Sequence, residues 1–420
     1  MFNKTILDNG VRLITANMPH TRSVSVCIFI GVGSRNETDA EAGISHFIEH
    51  LLFKGTQKRP TAREIAEAIE GVGGMFNGGT DKEITVYWCK VAQPHFSLAL
   101  DVLSDLLLNP KLDPADIEKE RQVIIEEINL SMDSPSQRVD MRIDELLWPN
   151  HPLGRDTAGT KESLNLLTRD TLLNYLRNQY QPANAVVSIA GDVHPQETVN
   201  IVSKAFSNWA KRHPPQRYLA YKEQMAKRIH IETRDTEQVH LCLAVPGLSL
   251  FHPKRFALDL LNIILGEGMS SRLFTEIRDR LSLTYSIQSY VDHFLDTGAL
   301  TISTNVEPKN LRAVIEAILE QLRLLKEPIL EYELTKAKEQ SKGRLLLRME
   351  DSRNVAGWAG GQEILTGRIL GIDEVISTIN KITPGDLNQL ARELLVSSQL
   401  RLAVVGPIPT DEPLEDLLKL

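Results

Sequence analysis

Val24-Ser25-Val26-Cys27-Ile28-Phe29-Ile30 is a strand-forming run, rich in β-branched and aromatic residues and broken by Gly31-Val32-Gly33-Ser34. It returns as Val239-His240-Leu241-Cys242-Leu243-Ala244-Val245, an offset of 215 residues (24 to 239). A second pair keeps that offset (191 to 406): Ala185 to Ala190, closed by Gly191, and Leu400 to Val405, closed by Gly406. Two matches at one spacing point to a duplicated domain. Between the copies, Lys211-Arg212-His213-Pro214-Pro215-Gln216-Arg217 is polar and twice interrupted by proline, and reads as a linker. The expected division is residues 1–212, a linker at 213–222, and residues 223–420. Strands and helices mix irregularly within each half, without a strict βαβ alternation. The expected fold class is therefore α+β: two homologous domains, each a mostly antiparallel sheet packed with helices.

Around these strands the chain is well punctuated. Ile6 to Asn17 reads as a hairpin turning at Asp8-Asn9-Gly10. Thr61-Ala62-Arg63-Glu64 is a capping-box start for a helix ending at Gly71. Phe96 to Leu108 is amphipathic, and a longer helix runs from Asp113 to Met132 with Pro114 in its first turn. Gly71-Val72-Gly73-Gly74 is no dinucleotide loop, because Phe76 stands where G-x-G-x-x-G needs glycine. Asn77-Gly78-Gly79-Thr80 reads as a glycine-rich entry to the strand that follows, Glu83 to Trp88.

A length of 420 residues gives room for two substantial cores. The net charge of −8 argues against a nucleic-acid surface, which favours a basic patch. Cys27, Cys89 and Cys242 are odd in number and set in apolar runs, so they read as buried free thiols. No stretch approaches the ~20 apolar residues of a membrane span, and the N-terminus reads as the start of a strand. No membrane partner and a bacterial-type cytoplasmic location are expected, with a mature organellar form second.

Chemistry concentrates in Ser45-His46-Phe47-Ile48-Glu49-His50-Leu51-Leu52-Phe53. Residues three and four apart share a helix face, so His46, Glu49 and His50 point one way. Two imidazoles at that spacing can reach one tetrahedral zinc ion, and a carboxylate beside them can take a proton from water. A hydrolytic zinc site needs a third protein ligand. The acidic helix after Pro114 is the richest source: Glu120 and Glu127, two turns apart, share a face, while Glu126 is rotated away.

The chain resembles the pitrilysin (H-x-x-E-H, inverzincin) family of zinc peptidases, and within it the short members that include processing-peptidase subunits and bacterial relatives. The resemblance rests on His46 to Thr56 and on Glu120-Arg121-Gln122-Val123-Ile124-Ile125-Glu126-Glu127. It implies one Zn²⁺ per chain, held by His46, His50 and Glu127, with Glu120 orienting a ligand and Glu49 as general base. It implies that the strand after Asn77, Gly78, Gly79 and Thr80 is an edge to which peptide substrate adds as a further strand. Active members also carry an Arg and a Tyr seven apart in the second half. Arg278 and Tyr285 have that spacing, whereas Arg280 does not. Glu267 stands where many relatives have a run of glycines, which puts a specialised role of that loop in doubt.

These features together read as a zinc endopeptidase acting on peptides or unfolded segments inside a chamber. A homodimer is expected, each zinc site receiving Arg278 and Tyr285 from the other copy. Two other readings stand beside it: the catalytic subunit of a heterodimeric processing peptidase, and a non-catalytic binding relative.

Overall fold

The turn at Asp8-Asn9-Gly10 closes a hairpin of β1 (Phe2–Ile6) and β2 (Arg12–Asn17), paired antiparallel from Phe2↔Ala16 to Ile6↔Arg12. From this hairpin the computed structural model describes residues 2–211, 218–222 and 227–420. The first half of the chain continues with β3 (Ser23–Ile30), α1 (Ile44–Leu52), α2 (Ala62–Glu70), β4 (Met75–Thr80), β5 (Thr85–Ala92), α3 (Phe96–Leu108), α4 (Pro114–Asp133) and α5 (Pro135–Leu147). It closes with α6 (Lys161–Leu166), α7 (Arg169–Gln179), β6 (Ala185–Gly191) and α8 (Pro195–Ala205). The second half runs β7 (Ile229–Thr233), β8 (Val239–Pro246), α9 (Arg255–Gly266), a π-helix (Phe274–Arg280), β9 (Thr284–His293) and β10 (Gly298–Val306). Then come α10 (Leu311–Leu324), α11 (Glu331–Arg348), α12 (Ser352–Thr366), α13 (Ile372–Lys381), α14 (Pro384–Leu394) and β11 (Arg401–Gly406).

The duplication is explicit in the sheets. The first has the order β1-β2-β6-β3-β5-β4 and the second β7-β11-β8-β10-β9. With β1 set aside, the orders correspond strand for strand. Each sheet begins with one parallel pair, β2 with β6 and β7 with β11, and is otherwise antiparallel. The runs that repeat in sequence are the inner strands β3, β6, β8 and β11. All seven residues of β6 and all six of β11 are buried, which explains why these strands read as continuous apolar runs.

Two compact units result, but they are not the contiguous halves 1–212 and 223–420 expected from the linker. The first unit comprises 1–128, 156–219 and 346–371, and the second 129–155, 220–345 and 372–420. Residues 213–217 of the expected linker lie outside the described residues. The exchange has a packing cause. Val139, Ile143, Leu146 and Leu147 line one face of α5 and share a core with Cys242, Ala244, Ala403 and Val405 of the second sheet. Reciprocally, α12 packs on β3 and β6 of the first sheet. Its small residues allow close approach: a Cβ on Gly360 would collide with the Phe29 ring. Ser352 hydrogen-bonds Ser23 and Ser25 at 3.1 and 2.9 Å, and the buried Glu363 pairs with Lys4 at 2.6 Å and Arg12 at 3.2 Å.

The three cysteines are buried free thiols, and burial pushes Cys27 and Cys89 up to about 12. Among the described residues, no helix is long and apolar enough to cross a membrane.

Candidate metal centre

The histidine helix α1 is fixed at both ends by contacts inside the first unit. At its start, the buried Glu37 carboxylate accepts from the backbone N–H of Gly43 (2.8 Å) and of Ser45 (2.9 Å). These are orphan donors at a helix N-terminus, where negative charge is also favoured by the helix dipole. Ile44, Phe47, Ile48, Leu51 and Leu52 form the buried face. His46, Glu49 and His50 lie on the half-buried face. Sequence reading assigned Glu37 no role: a capping carboxylate six to eight residues before the N–H groups it binds leaves no local pattern.

The half-buried face meets α4. Glu127 Oε2 lies 3.6 Å from His50 Nε2 and 3.9 Å from His46 Nε2. Among the described residues, His46, His50 and Glu127 form the single group of three able to share a metal ion, with donor atoms all within 4.8 Å of one another. Tetrahedral zinc with ligand bonds of about 2.0–2.2 Å needs donor atoms roughly 3.3–3.6 Å apart. Two imidazoles and one carboxylate at these spacings therefore fit zinc with a small inward movement. Burial, and then the neighbouring His50, push the His46 imidazole down to about 4, so it is neutral and has a free lone pair at neutral pH.

Glu120, one heptad before Glu127, is 5 % exposed. One of its oxygens lies 3.2 Å from His50 Nδ1, and the other accepts from Lys54 Nζ at 2.7 Å. Such a contact on the far ring nitrogen orients an imidazole and leaves Nε2 to the metal. Among the described residues His46 has no counterpart: its Nδ1 is buried without a hydrogen-bond partner.

Glu49 stands beside the donor set and outside it. Thr80 donates to its Oε2 at 2.6 Å. Burial raises its carboxyl above the ordinary range, against the lowering effect of Thr80 and His50. The strand carrying Thr80 passes so close that a Cβ on Gly78 would sit 2.9 Å from both Glu49 Cγ and the Phe53 ring. Any larger residue there would have to displace one of these side chains.

Here one expectation needs correction. Asn77, Gly78, Gly79 and Thr80 do not lead into an edge strand; they are the edge strand. They lie in β4, which pairs with β5 from Met75↔Lys90 to Thr80↔Thr85 and ends the sheet. The following strand, β5, is interior, between β3 and β4. Two glycines in the strand concealed its β character in the sequence.

Arg278 and Tyr285 lie together in the second unit. The Arg278 guanidinium sits 4.4 Å from the Phe274 ring centre and 5.2 Å from that of Tyr285, which is 81 % exposed. The π-helix separates the two arginines: Arg280 is engaged by Glu276, with Nε to Oε2 at 2.7 Å, and Arg278 faces the tyrosine. Glu267 is paired with Arg344.

A duplicated α+β domain carrying an H-x-x-E-H helix and a distant glutamate defines the inverzincin class. Residues 12–161 match the family model described as Insulinase (Peptidase family M16), and residues 166–341 the one described as Peptidase M16 inactive domain. The chain is 36% identical over 411 residues to YmxG, an uncharacterized zinc protease of Bacillus subtilis, covering 97% of this chain and 98% of that protein. An uncharacterized zinc protease of Mycobacterium leprae is 36% identical over 423 residues, covering 99% of this chain and 94% of its own. The solved structure of a protease from Helicobacter pylori matches with a TM-score of 0.92 at 25% identity, over 97% of this chain and 100% of that one. The chain belongs to the M16 peptidase family. Family and relatives together indicate a zinc protease.

Proposed function

We propose that the chain is a zinc-dependent endopeptidase that binds peptides or unfolded segments in extended form in an internal chamber. The observation that carries this is the pairing of a complete donor set, His46, His50 and Glu127, with a carboxylate, Glu49, that stays outside it. One zinc per chain would be held by those three residues and supply the Lewis acidity that activates water and polarises the scissile carbonyl. Glu49 takes the proton of the attacking water and passes it to the leaving amine; the upward push of burial makes its carboxylate a stronger base. Glu120 steadies His50. The peptide adds to the outer edge of β4 along Asn77, Gly78, Gly79 and Thr80, its backbone hydrogen bonds giving sequence-tolerant affinity.

Arg278 and Tyr285 donate to the carbonyl oxygen as charge develops on it. We assign them to the zinc site of a second copy, in a homodimer without nucleic-acid or membrane partners and located in the cytoplasm. Mixing Glu49→Gln with Tyr285→Phe protein under verified subunit exchange tests this, in a peptide-cleavage assay with zinc analysis. Each variant alone retains zinc and loses activity, and the mixture regains activity at one site per mixed dimer. No recovery would overturn the crossed arrangement. A wild type free of zinc and inactive after zinc addition would overturn the enzyme reading.

A further inference from the structure

We propose that Lys54 is a positioning residue that sets zinc affinity through Glu120. The inference rests on the zinc reading above and goes beyond it in assigning the residue behind the ligands. Among the described residues, of the two imidazoles only that of His50 is held from behind by a side chain: Glu120 reaches its Nδ1 at 3.2 Å, while His46 Nδ1 is buried and unpartnered. The rigidity of the donor set therefore depends on how firmly Glu120 is held. Its carboxylate is buried, and Lys54 Nζ binds the oxygen that His50 does not use, at 2.7 Å. That contact fixes the rotation of the carboxylate and offsets the cost of burying its charge.

The Lys54 backbone is itself fixed. Its N–H bonds the Leu51 carbonyl at 3.1 Å, in the turn that ends α1. Gly55, next in the chain, passes so near Pro60 that a Cβ would strike the Pro60 carbonyl oxygen. Thr56 is fully buried and donates to Asp105 at 2.6 Å. The segment after the second histidine thus delivers an ammonium group to one oxygen of Glu120. A merely solvated lysine needs no such anchoring.

The test is the zinc dissociation constant, from competition with a chromophoric chelator, for wild type, Lys54→Met, Lys54→Arg, Glu120→Gln and the double variant Lys54→Met/Glu120→Gln. Losing support behind a ligand typically weakens metal binding about 10–100-fold, and that loss is expected for Lys54→Met. Lys54→Arg, which can still pair with the carboxylate, recovers most of it. In the Glu120→Gln background, Lys54→Met has no further effect, because Lys54 acts through that carboxylate. Thermal melts of the metal-free proteins check the fold, and Lys54→Gln replaces Lys54→Met if the latter does not fold. Wild-type affinity in Lys54→Met, or an equal loss with and without Glu120, overturns the inference. A wild type that binds no zinc overturns the zinc reading itself, and the wild-type measurement tells the two failures apart.

Discussion

The two sheets share one strand order, yet the α-helix that follows β3 differs completely from the one that follows its counterpart β8. In the first unit that helix is α1, with His46, Glu49 and His50 on its open face. In the second it is α9, Arg255-Phe256-Ala257-Leu258-Asp259-Leu260-Leu261-Asn262-Ile263-Ile264-Leu265-Gly266, without a histidine and buried over most of its length. The long helices that meet them differ in the same way. Glu127 is the fourteenth residue of α4; the fourteenth of α11 is Arg344, which pairs with Glu267 just beyond α9. One junction presents three metal donors, and the other is closed by an ion pair between arginine and glutamate. Topology is thus indifferent to the chemistry, which resides in a few side chains at one helix–helix junction.

The strongest way to break this comparison is to remove the fourteenth residue from each helix. Glu127→Ala should abolish stoichiometric zinc binding, measured by metal analysis after dialysis, since two imidazoles alone leave the donor set incomplete. Arg344→Ala removes a half-exposed pair, so a change in unfolding free energy within about 1 kcal/mol and unaltered zinc content are expected. Equal zinc loss in both variants would show that the junctions are not distinct in chemistry. A sharper probe is Gly78→Ala, which forces a methyl group against Glu49 and Phe53. Overpacking of this kind costs about 1–3 kcal/mol, read by denaturant unfolding. The corresponding change at Gly79, where the nearest atom to a Cβ is 3.9 Å away, should cost far less.

The smallest effect concerns an ion cluster of the second unit. Burial tends to raise the Glu232 carboxyl, but Arg138, Arg142 and Arg234 outweigh it and hold it at about 2. A carboxyl lowered on folding contributes stability above its unfolded pKa, near the ordinary glutamate value, and loses it as pH falls toward about 2. Glu232→Gln should therefore be less stable than wild type above pH ~5, by on the order of 1 kcal/mol after allowance for solvent screening. The two unfolding curves should converge toward pH 2. A gap that does not narrow on acidification would deny the cluster its charge-based role.

Much of this was legible in the sequence, and the reasons differ by feature. The inner strands β3, β6, β8 and β11 are mostly apolar, so their repetition survived as a pattern. His46, Glu49 and His50 are local on one helix, and Glu120 and Glu127 share a face by simple periodicity. Partner choice was not legible. Residues of α5 and α12 announce an apolar or small-residue face, but nothing in either segment says which sheet it covers. The roles of Lys54 and Thr56 were equally hidden, because each is defined by a residue distant in the chain: Glu120 and Asp105.

The exchanged helices also set a timetable for synthesis. Ser25 of the first sheet meets Ser352 of its covering helix across 327 residues of chain. At a translation rate of about 5–20 residues per second, β3 emerges roughly a quarter of a minute to a minute before α12 arrives to cover it. The histidine-bearing unit, begun first, is completed late, and until α12 is made the strands it covers stay open to aggregation.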